Sequence, residues 1–349
     1  TPETLQAILP GSRMKEHLKA AKWLVVDEVH ELAESKRGTQ LALALERLAR
    51  LAGDFQRIGL SATVGNKEEI SRFLVGAERD VEIVDTSSAE EMHLSIESPM
   101  PREEDAELSD DLNAEPAMIA RIRRIRDLIE GHESTLTFVN TREASETLGS
   151  RLKFWDSDFP VSVHHGSLSK EYRISSEEDF RNGDLKSIIC TSSMELVIDI
   201  GNIDLVIQYQ SPRQVKRLIQ RVGRSGHRIE EASEGIVITT EPDDVIEAGV
   251  IGRKAIAGEI EPTKVHEDAL DVLAHQIVGF NLDGINQPEK IFELVRKSHP
   301  YGTLSKESFQ DVVKQLQDQG VLWRDGNELS RGRRSWKYYY QTLSMIPDI

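Results

Sequence analysis

The chain has 349 residues and a net charge of −17, long enough for two or three domains and too acidic to bind a polyanion over its whole surface. A nucleic acid would have to sit in a local basic groove inside an acidic shell. No apolar run approaches the length of a membrane helix, no signal-peptide pattern is present, and the one cysteine, Cys190, excludes an internal disulfide and suits a reducing cytoplasm.

Thr1 is not an initiator methionine and "TPETL" reads as sequence from inside a domain, so the expectation is a piece of a longer protein. Strands and helices alternate up to about residue 98. Trp23-Leu24-Val25-Val26 reads as a strand buried on both faces of a parallel sheet, and it runs directly into Asp27, Glu28 and, two places on, His30. Open α/β sheets bind ligands at the carboxyl ends of their strands. An Asp there can hold Mg²⁺, and a neighbouring Glu can orient or deprotonate an attacking water. Acids are also favoured at a helix N-terminus, so the pair alone leaves both readings open.

"KRGTQLALALERLARLAG" is an amphipathic helix closed by Gly53. "RIGLSATVG" is a strand followed by Ser61, Ala62 and Thr63, whose hydroxyls either relay between the acid pair and another surface or cap the helix "NKEEISRFL". "DVEIVDT" reads as a further strand. Residues 99–116, acid-rich and bracketed by prolines, read as a linker.

A second α/β block follows, with strands "TLTFVN", "VSVHH", "SIICTS", "DLVIQYQ" and "GIVITT". Asn140, Thr141 and Arg142 end its first strand, where they either contact phosphate or sugar or simply cap the next helix. After the second strand come His164, His165 and Gly166. No Cys, Asp or third His stands at ligand spacing, which disfavours zinc, and Gly166 suits a close approach of backbone to phosphate. "QRVGRSGHR", 220–228, puts three arginines in nine residues of an acidic chain. An arginine projected across a cleft can neutralise charge on a γ-phosphate, whereas a solvated basic face is the plainer alternative.

Beyond residue 260, three amphipathic helices precede "VLWRDGNELS", a β-hairpin turned at Asp325-Gly326. This is a winged-helix pattern; a generic packing domain is the alternative. The last stretch gathers Arg331, Arg333, Arg334 and Lys337 around Trp336. Cations beside an aromatic platform suit sequence-tolerant binding of single strands. Alternatively, Trp336 and the three tyrosines anchor the tail on the second α/β block.

In order, "TPE", "DEVH", "SAT", "VNTR", "HHGSLS", "TSSMELVIDIG" and "QRVGRSGHR" resemble the successive motifs of superfamily 2 helicases, and with the "GRRSWKYYYQTLSMIP" tail they resemble the large helicase-related (Lhr) family. The resemblance covers essentially the whole chain. It implies an α/β fold of two RecA-like domains, the first truncated at its N-terminus, and an α+β winged-helix domain. The expected bounds are 1–98, a linker at 99–116, 117–259 and 260–349. It implies ATP and Mg²⁺ as cofactors, with Asp27 and Glu28 as the metal and water-activating pair alongside His30. Ser61, Ala62 and Thr63 would couple ATP state to nucleic acid. Gln220, Arg221, Arg224 and Arg228 would form the last motif, with Arg224 as the arginine finger, and Asp199 and Gly201 would lie on the nucleotide side.

By the same resemblance Thr1, Pro2, Glu3, Thr141, Arg142, His165, Gly166, Thr191, Ser192, Arg333, Arg334 and Trp336 would touch nucleic acid. The implied protein is a cytoplasmic monomer moving 3′ to 5′ on single-stranded or partly duplex DNA; RNA or an RNA–DNA hybrid, or a non-catalytic annealing module, are the alternatives. Two departures stand out. Val197 replaces the glycine expected before "IDIG". The chain also has no G-x-x-x-x-G-K-[ST] phosphate loop, which is expected N-terminal to Thr1, so this stretch alone should hydrolyse ATP poorly.

Overall fold

The computed structural model describes residues 1–349 except 54, 63, 86–90, 112, 196–199, 227–231 and 344–349, and except the side chain of residue 110. Thr63, Val197, Asp199 and Arg228 therefore lie outside the described residues. The chain forms two compact units: Thr1–Asp85 with Pro262–Ile349, and Thr86–Glu261.

The first unit begins with α1 (Pro2–Ile8), α2 (Met14–Leu18), β1 (Trp23–Val26), α3 (Val29–Ala33), α4 (Lys36–Ala52), β2 (Gln56–Gly59) and α5 (Lys67–Val75). β1 and β2 pair in parallel, Trp23 opposite Gln56 and Val26 opposite Gly59. The expectation of a strand buried on both faces is corrected. Trp23 is 66% and Val25 58% exposed, while Val26 is buried. Among the described residues this sheet has two strands, so helices cover one face and the alternation of side chains leaves the other open. Residues 80–85 form no strand either.

Helix α4 starts where Ser35 Oγ accepts the Gly38 N–H at 3.1 Å and ends at Gly53, φ +81°. It is buried from Gly38 to Leu48 because α1, α3 and α12 (Leu270–Leu282) all pack on it. That accounts for two charged residues, Glu46 and Arg47, lying inside the protein.

The second unit runs β3 (Met92–Glu97), α6 (Glu103–Asp111), α7 (Pro116–Glu130), β4 (Thr135–Phe138), α8 (Arg142–Trp155), β5 (Val161–His164), α9 (Lys170–Arg181), β6 (Ser187–Cys190), β7 (Leu205–Tyr209), α10 (Val215–Val222), β8 (Ser233–Ile238) and α11 (Pro242–Ile256). Its described strands form a parallel sheet in the order β3-β8-β7-β4-β6-β5. Successive strand residues feed opposite cores: Ile188 and Val206 on one face, Ile189 and Ile207 on the other.

Two sequence expectations change here. β3, read with the first stretch, is an edge strand of this sheet, paired with β8. The acidic 99–116 segment contains α6, docked on α7 through Asp105, which Arg123 grips at 2.9 and 3.0 Å. Those hydrogen bonds hold the buried Asp105 carboxyl below its usual range.

The chain returns to the first unit with α12, α13 (Pro288–Arg296), α14 (Lys306–Asp318), the hairpin β9 (Leu322–Asp325) and β10 (Glu328–Arg331), and α15 (Ser335–Thr342). Ser305 Oγ caps α14 at 3.0 Å. The hairpin pairs Asp325 with Glu328, so its two loop residues are Gly326, φ +60°, and Asn327, one place later than the sequence suggested. Positive φ at the first loop position alone matches a II′ turn.

Candidate functional site

In the first unit, Asp27 leaves the carboxyl end of β1, and its Oδ1 accepts the Glu28 N–H at 3.0 Å. Glu28 adopts a left-handed conformation, φ +48°, unusual for a residue with a side chain and of the kind that clusters at functional turns. Its Oε2 is shielded from solvent and has no hydrogen-bond partner among the described residues, although His30 Nδ1 stands 3.3 Å away. A sheltered, unsatisfied carboxylate oxygen beside a second carboxylate is a fitting donor set for a hard cation.

His30 is buried. Its Nδ1 meets Ser61 Oγ at 2.9 Å and its Nε2 lies 3.3 Å from Glu31 Oε1. Ser61 therefore joins the acid-pair turn rather than capping α5, whose N-cap residue is Asn66; Asn66 in turn binds Thr263 at 2.7 and 2.8 Å. Ala62 stands exposed next to it, its carbonyl accepting the Ser61 hydroxyl at 2.9 Å. Thr1 Oγ1 caps α1, Pro2 is buried, and Glu3 forms a two-pronged pair with Arg37 at 2.6 and 3.2 Å that lowers its pKa to about 2.

In the second unit the strand order makes neighbours of the loops after β4, β6 and β5. Those loops carry Thr141 and Arg142, Thr191 and Ser192, and His165 and Gly166. Thr141, Arg142, Gly166 and Ser192 are exposed. Thr141 Oγ1 does cap α8, accepting the Ala144 N–H at 3.1 Å. An added Cβ on Gly166 would meet nothing within 4 Å, which leaves this backbone open to approach. His165 departs from the expected contact with a strand. It is buried; its Nδ1 accepts from the Ser167 N–H at 3.3 Å and its Nε2 donates to Glu146 at 2.7 Å, so it shapes the loop from within. His164 is likewise used up by Ser193 at 3.0 Å and Glu177 at 2.9 Å.

Behind these loops lies Arg221, also buried. It binds Glu195 at 2.7 Å, Gln208 at 2.7 Å and Asn140 at 3.4 Å, over the ring of Phe138. Arg221 therefore ties β7 to the loops after β4 and β6. Arg224 and Gln220 are half-buried, and Arg224 donates to the Glu195 carbonyl. α10, which carries Gln220 and Arg221, has its first N–H groups capped by the Glu261 carboxylate at 2.7 and 3.2 Å. Gly201 is exposed at φ +98°.

Sequence reasoning missed Glu195 and Gln208, which hold Arg221, and Glu146, which holds His165. Gln208 had a visible signal, a polar residue inside "LVIQY". Glu195 and Glu146 had none, because their partners are distant in the chain. On the tail, Arg333, Arg334 and Trp336 are exposed, and Trp336 stacks on Tyr340 at 6.0 Å. Tyr339 turns the other way, into the first unit and not onto the second block. Among the described residues, Glu69, Glu267 and His299 also bring possible metal-binding atoms within 4.8 Å of one another; there His299 bonds Glu69 at 2.9 Å.

Residues 1–70 match the DEAD/DEAH box helicase family, 120–229 the helicase conserved C-terminal domain, and 253–323 the winged helix domain of large helicase-related protein. The chain is 38% identical, over its whole length, to the ATP-dependent helicase Lhr-Core of Methanothermobacter thermautotrophicus, spanning 42% of that protein. It is 33% identical to the Lhr helicase/uracil glycosylase of Escherichia coli over 90% of the chain and 23% of the relative. A solved structure of Mycobacterium smegmatis helicase Lhr bound to ssDNA and AMP-PNP superposes with TM-score 0.86 at 35% identity, covering all of this chain and 46% of that one.

Proposed function

Because the chain belongs to the Lhr family of superfamily 2 helicases, we propose that it serves an ATP-dependent helicase that moves 3′ to 5′ on single-stranded DNA. The observation that carries this reading is the His30–Ser61 hydrogen bond, which ties the acid-pair turn after β1 to the loop after β2. Any change in what Asp27 and Glu28 hold is felt by Ser61 through a buried ring, and that is the coupling a translocating ATPase requires.

Asp27 and Glu28 would hold Mg²⁺, which when bound would neutralise charge on the phosphates. Glu28 orients the attacking water and takes its proton. Arg224 stabilises the charge that develops on the γ-phosphate, while buried Arg221 positions it by holding Glu195. The strand contacts are, in the second unit, the exposed loops at Thr141–Arg142, Gly166 and Thr191–Ser192 and, in the first unit, Arg333, Arg334 and Trp336 on α15 and the turn before it. DNA is favoured because the Mycobacterium smegmatis relative was solved with single-stranded DNA.

Strand displacement by the full-length protein tests the finer claims. A DNA duplex with a 3′ tail should be unwound in the presence of ATP, and one with a 5′ tail should not. Preference for the 5′ tail would reverse the polarity. Faster unwinding with an RNA loading strand would move the substrate to RNA.

A further inference from the structure

Arg47 is the largest polar commitment inside the first unit, and neither the acid-pair turn nor the exposed loops use it. Its side chain is 0% exposed. Nε donates to Asp283 at 2.7 Å; Nη1 donates to Gln6 at 2.7 Å, Gln276 at 3.1 Å and Tyr339 Oη at 2.8 Å; Nη2 donates to the Gly279 carbonyl at 3.3 Å. Those partners sit on α1, α12 and α15. The Tyr339 hydroxyl continues to the Gln6 carbonyl at 2.8 Å, and Gln6 Nε2 returns to the Gln40 carbonyl of α4 at 2.9 Å.

A planar guanidinium is the side chain that can hold so many acceptors in one fixed geometry. The fit is close. A Cβ on Gly279 would lie 2.5 Å from Arg47 Nη1 and 2.9 Å from the Tyr339 ring, so only glycine lets α12 come this near. Apolar residues of similar volume in place of both members of a buried ion pair would often stabilise a fold at least as well. What the guanidinium adds is alignment of three helices.

Two of those helices end in candidate strand contacts. α1 begins at Thr1–Pro2–Glu3, and α15 exposes Trp336 and Tyr340 beside buried Tyr339, whose ring meets that of Tyr340 edge-on at 5.6 Å. We propose that Arg47 is a positioning residue that locks α1 and α15 into one rigid body, so that the strand contacts at Thr1–Glu3 and at Trp336 act at a fixed spacing. This rests on the proposed function, in which Trp336 touches the strand, and on the family resemblance, which implies that Thr1–Glu3 does too. With fixed spacing, the second contact forms at high effective concentration once the first is made. With the lock broken, each contact acts nearly alone.

The test uses the full-length protein and two backgrounds, wild type and Gln6→Met. Gln6→Met removes the Arg47 bond to α1 and the Gln6–Gln40 bond while leaving Arg47 paired with Asp283 and the Tyr339 hydroxyl on the Gln6 main-chain carbonyl, so it loosens the lock; Arg47→Lys, which keeps the charge without the fork, breaks it further. Affinity for a single-stranded DNA oligonucleotide is measured with and without Trp336→Ala. Loss of a stacking platform should weaken binding about tenfold in the wild type and no more than about threefold in either unlocked background. ATP turnover at saturating DNA should stay within about twofold of wild type in both unlocked variants, with the DNA concentration for half-maximal turnover raised. An equal Trp336→Ala factor in all backgrounds would overturn the proposal and leave the strand-contact reading standing. No effect of Trp336→Ala in any background would overturn that reading, and the proposal with it.

Discussion

Each unit holds an arginine, Arg47 in the first and Arg221 in the second, whose side chain is almost completely buried, and the two differ in what they hold. Arg47 joins three helices contributed by opposite ends of the chain, with Asp283 as its counter-ion and Tyr339 and Phe280 beneath it. Arg221 joins strand ends within one sheet, with Glu195 as its counter-ion and Phe138 beneath it. The chemistry is the same in both, an arginine over an aromatic ring with a carboxylate and amide oxygens. The consequence differs because Arg47 fixes the packing of whole helices, while Arg221 fixes the loops from which exposed side chains project. A motif therefore marks an arginine as important without saying that it touches a ligand.

Stability measurements sharpen this contrast most. Arg47→Met takes the main partner from Asp283, whose side chain is 10% exposed, and also leaves the Gln6, Gln276 and Gly279 acceptors unpaired, so it should cost about 3–5 kcal/mol. Arg221→Met should cost less, about 1–3 kcal/mol, because Arg221 serves fewer acceptors, on Glu195, Gln208 and Asn140, than Arg47 does. Denaturant unfolding of both variants checks the order; a larger loss in Arg221→Met would break the comparison.

Acid should weaken the Arg47 region first. His275 stacks on Tyr339 at 4.3 Å, and burial, with the charge of Arg47 nearby, lowers its pKa to about 3. Below its ordinary pKa of about 6.5 the unfolded chain takes up a proton that the folded chain refuses until about pH 3. Stability contributed by neutral His275 is thus full above pH 6.5 and declines as pH falls through that window, by roughly 1.4 kcal/mol per unit at its steepest. His275→Gln should flatten this slope in thermal melts between pH 6.5 and 4; an unchanged slope would mean that His275 is not the responsible group.

The smallest effect on stability belongs to the exposed tail. Neutralising Arg331, Arg333 and Arg334 together should leave the melting temperature within error. It should also reduce the salt dependence of single-strand binding, by about 0.7 in log–log slope for each phosphate that is no longer neutralised. An unchanged slope in the folded variant would show that these arginines are solvated and touch no strand.

Local signals in the sequence carried much of this architecture. Ser305 and Thr141 cap the helices they precede, Gly53 closes α4, and the apolar runs from "TLTF" to "GIVI" became strands of one parallel sheet. What stayed hidden depends on distant partners. β3 was missed because "MHLSIE" only makes sense beside β8, about 140 residues later. The acidic 99–116 segment looked unstructured because its anchor, Arg123, lies outside it. At the candidate site the motif residues were legible, but their burial was not. Residue type marks Arg221 and His30 as catalytic-motif residues and His165 as a strand contact, whereas their orientation is set by Glu195, Ser61 and Glu146 elsewhere in the chain.

The central claim, ATP-driven movement powered by the acid pair after β1, is tested most directly by Glu28→Gln in the full-length protein. DNA-stimulated ATP turnover should fall ~10²–10⁴-fold, the usual contribution of a positioned general base, while ATP and single-stranded DNA still bind within about threefold of wild type. Turnover retained at near wild-type rates would contradict the assignment of Glu28 and the mechanism built on it.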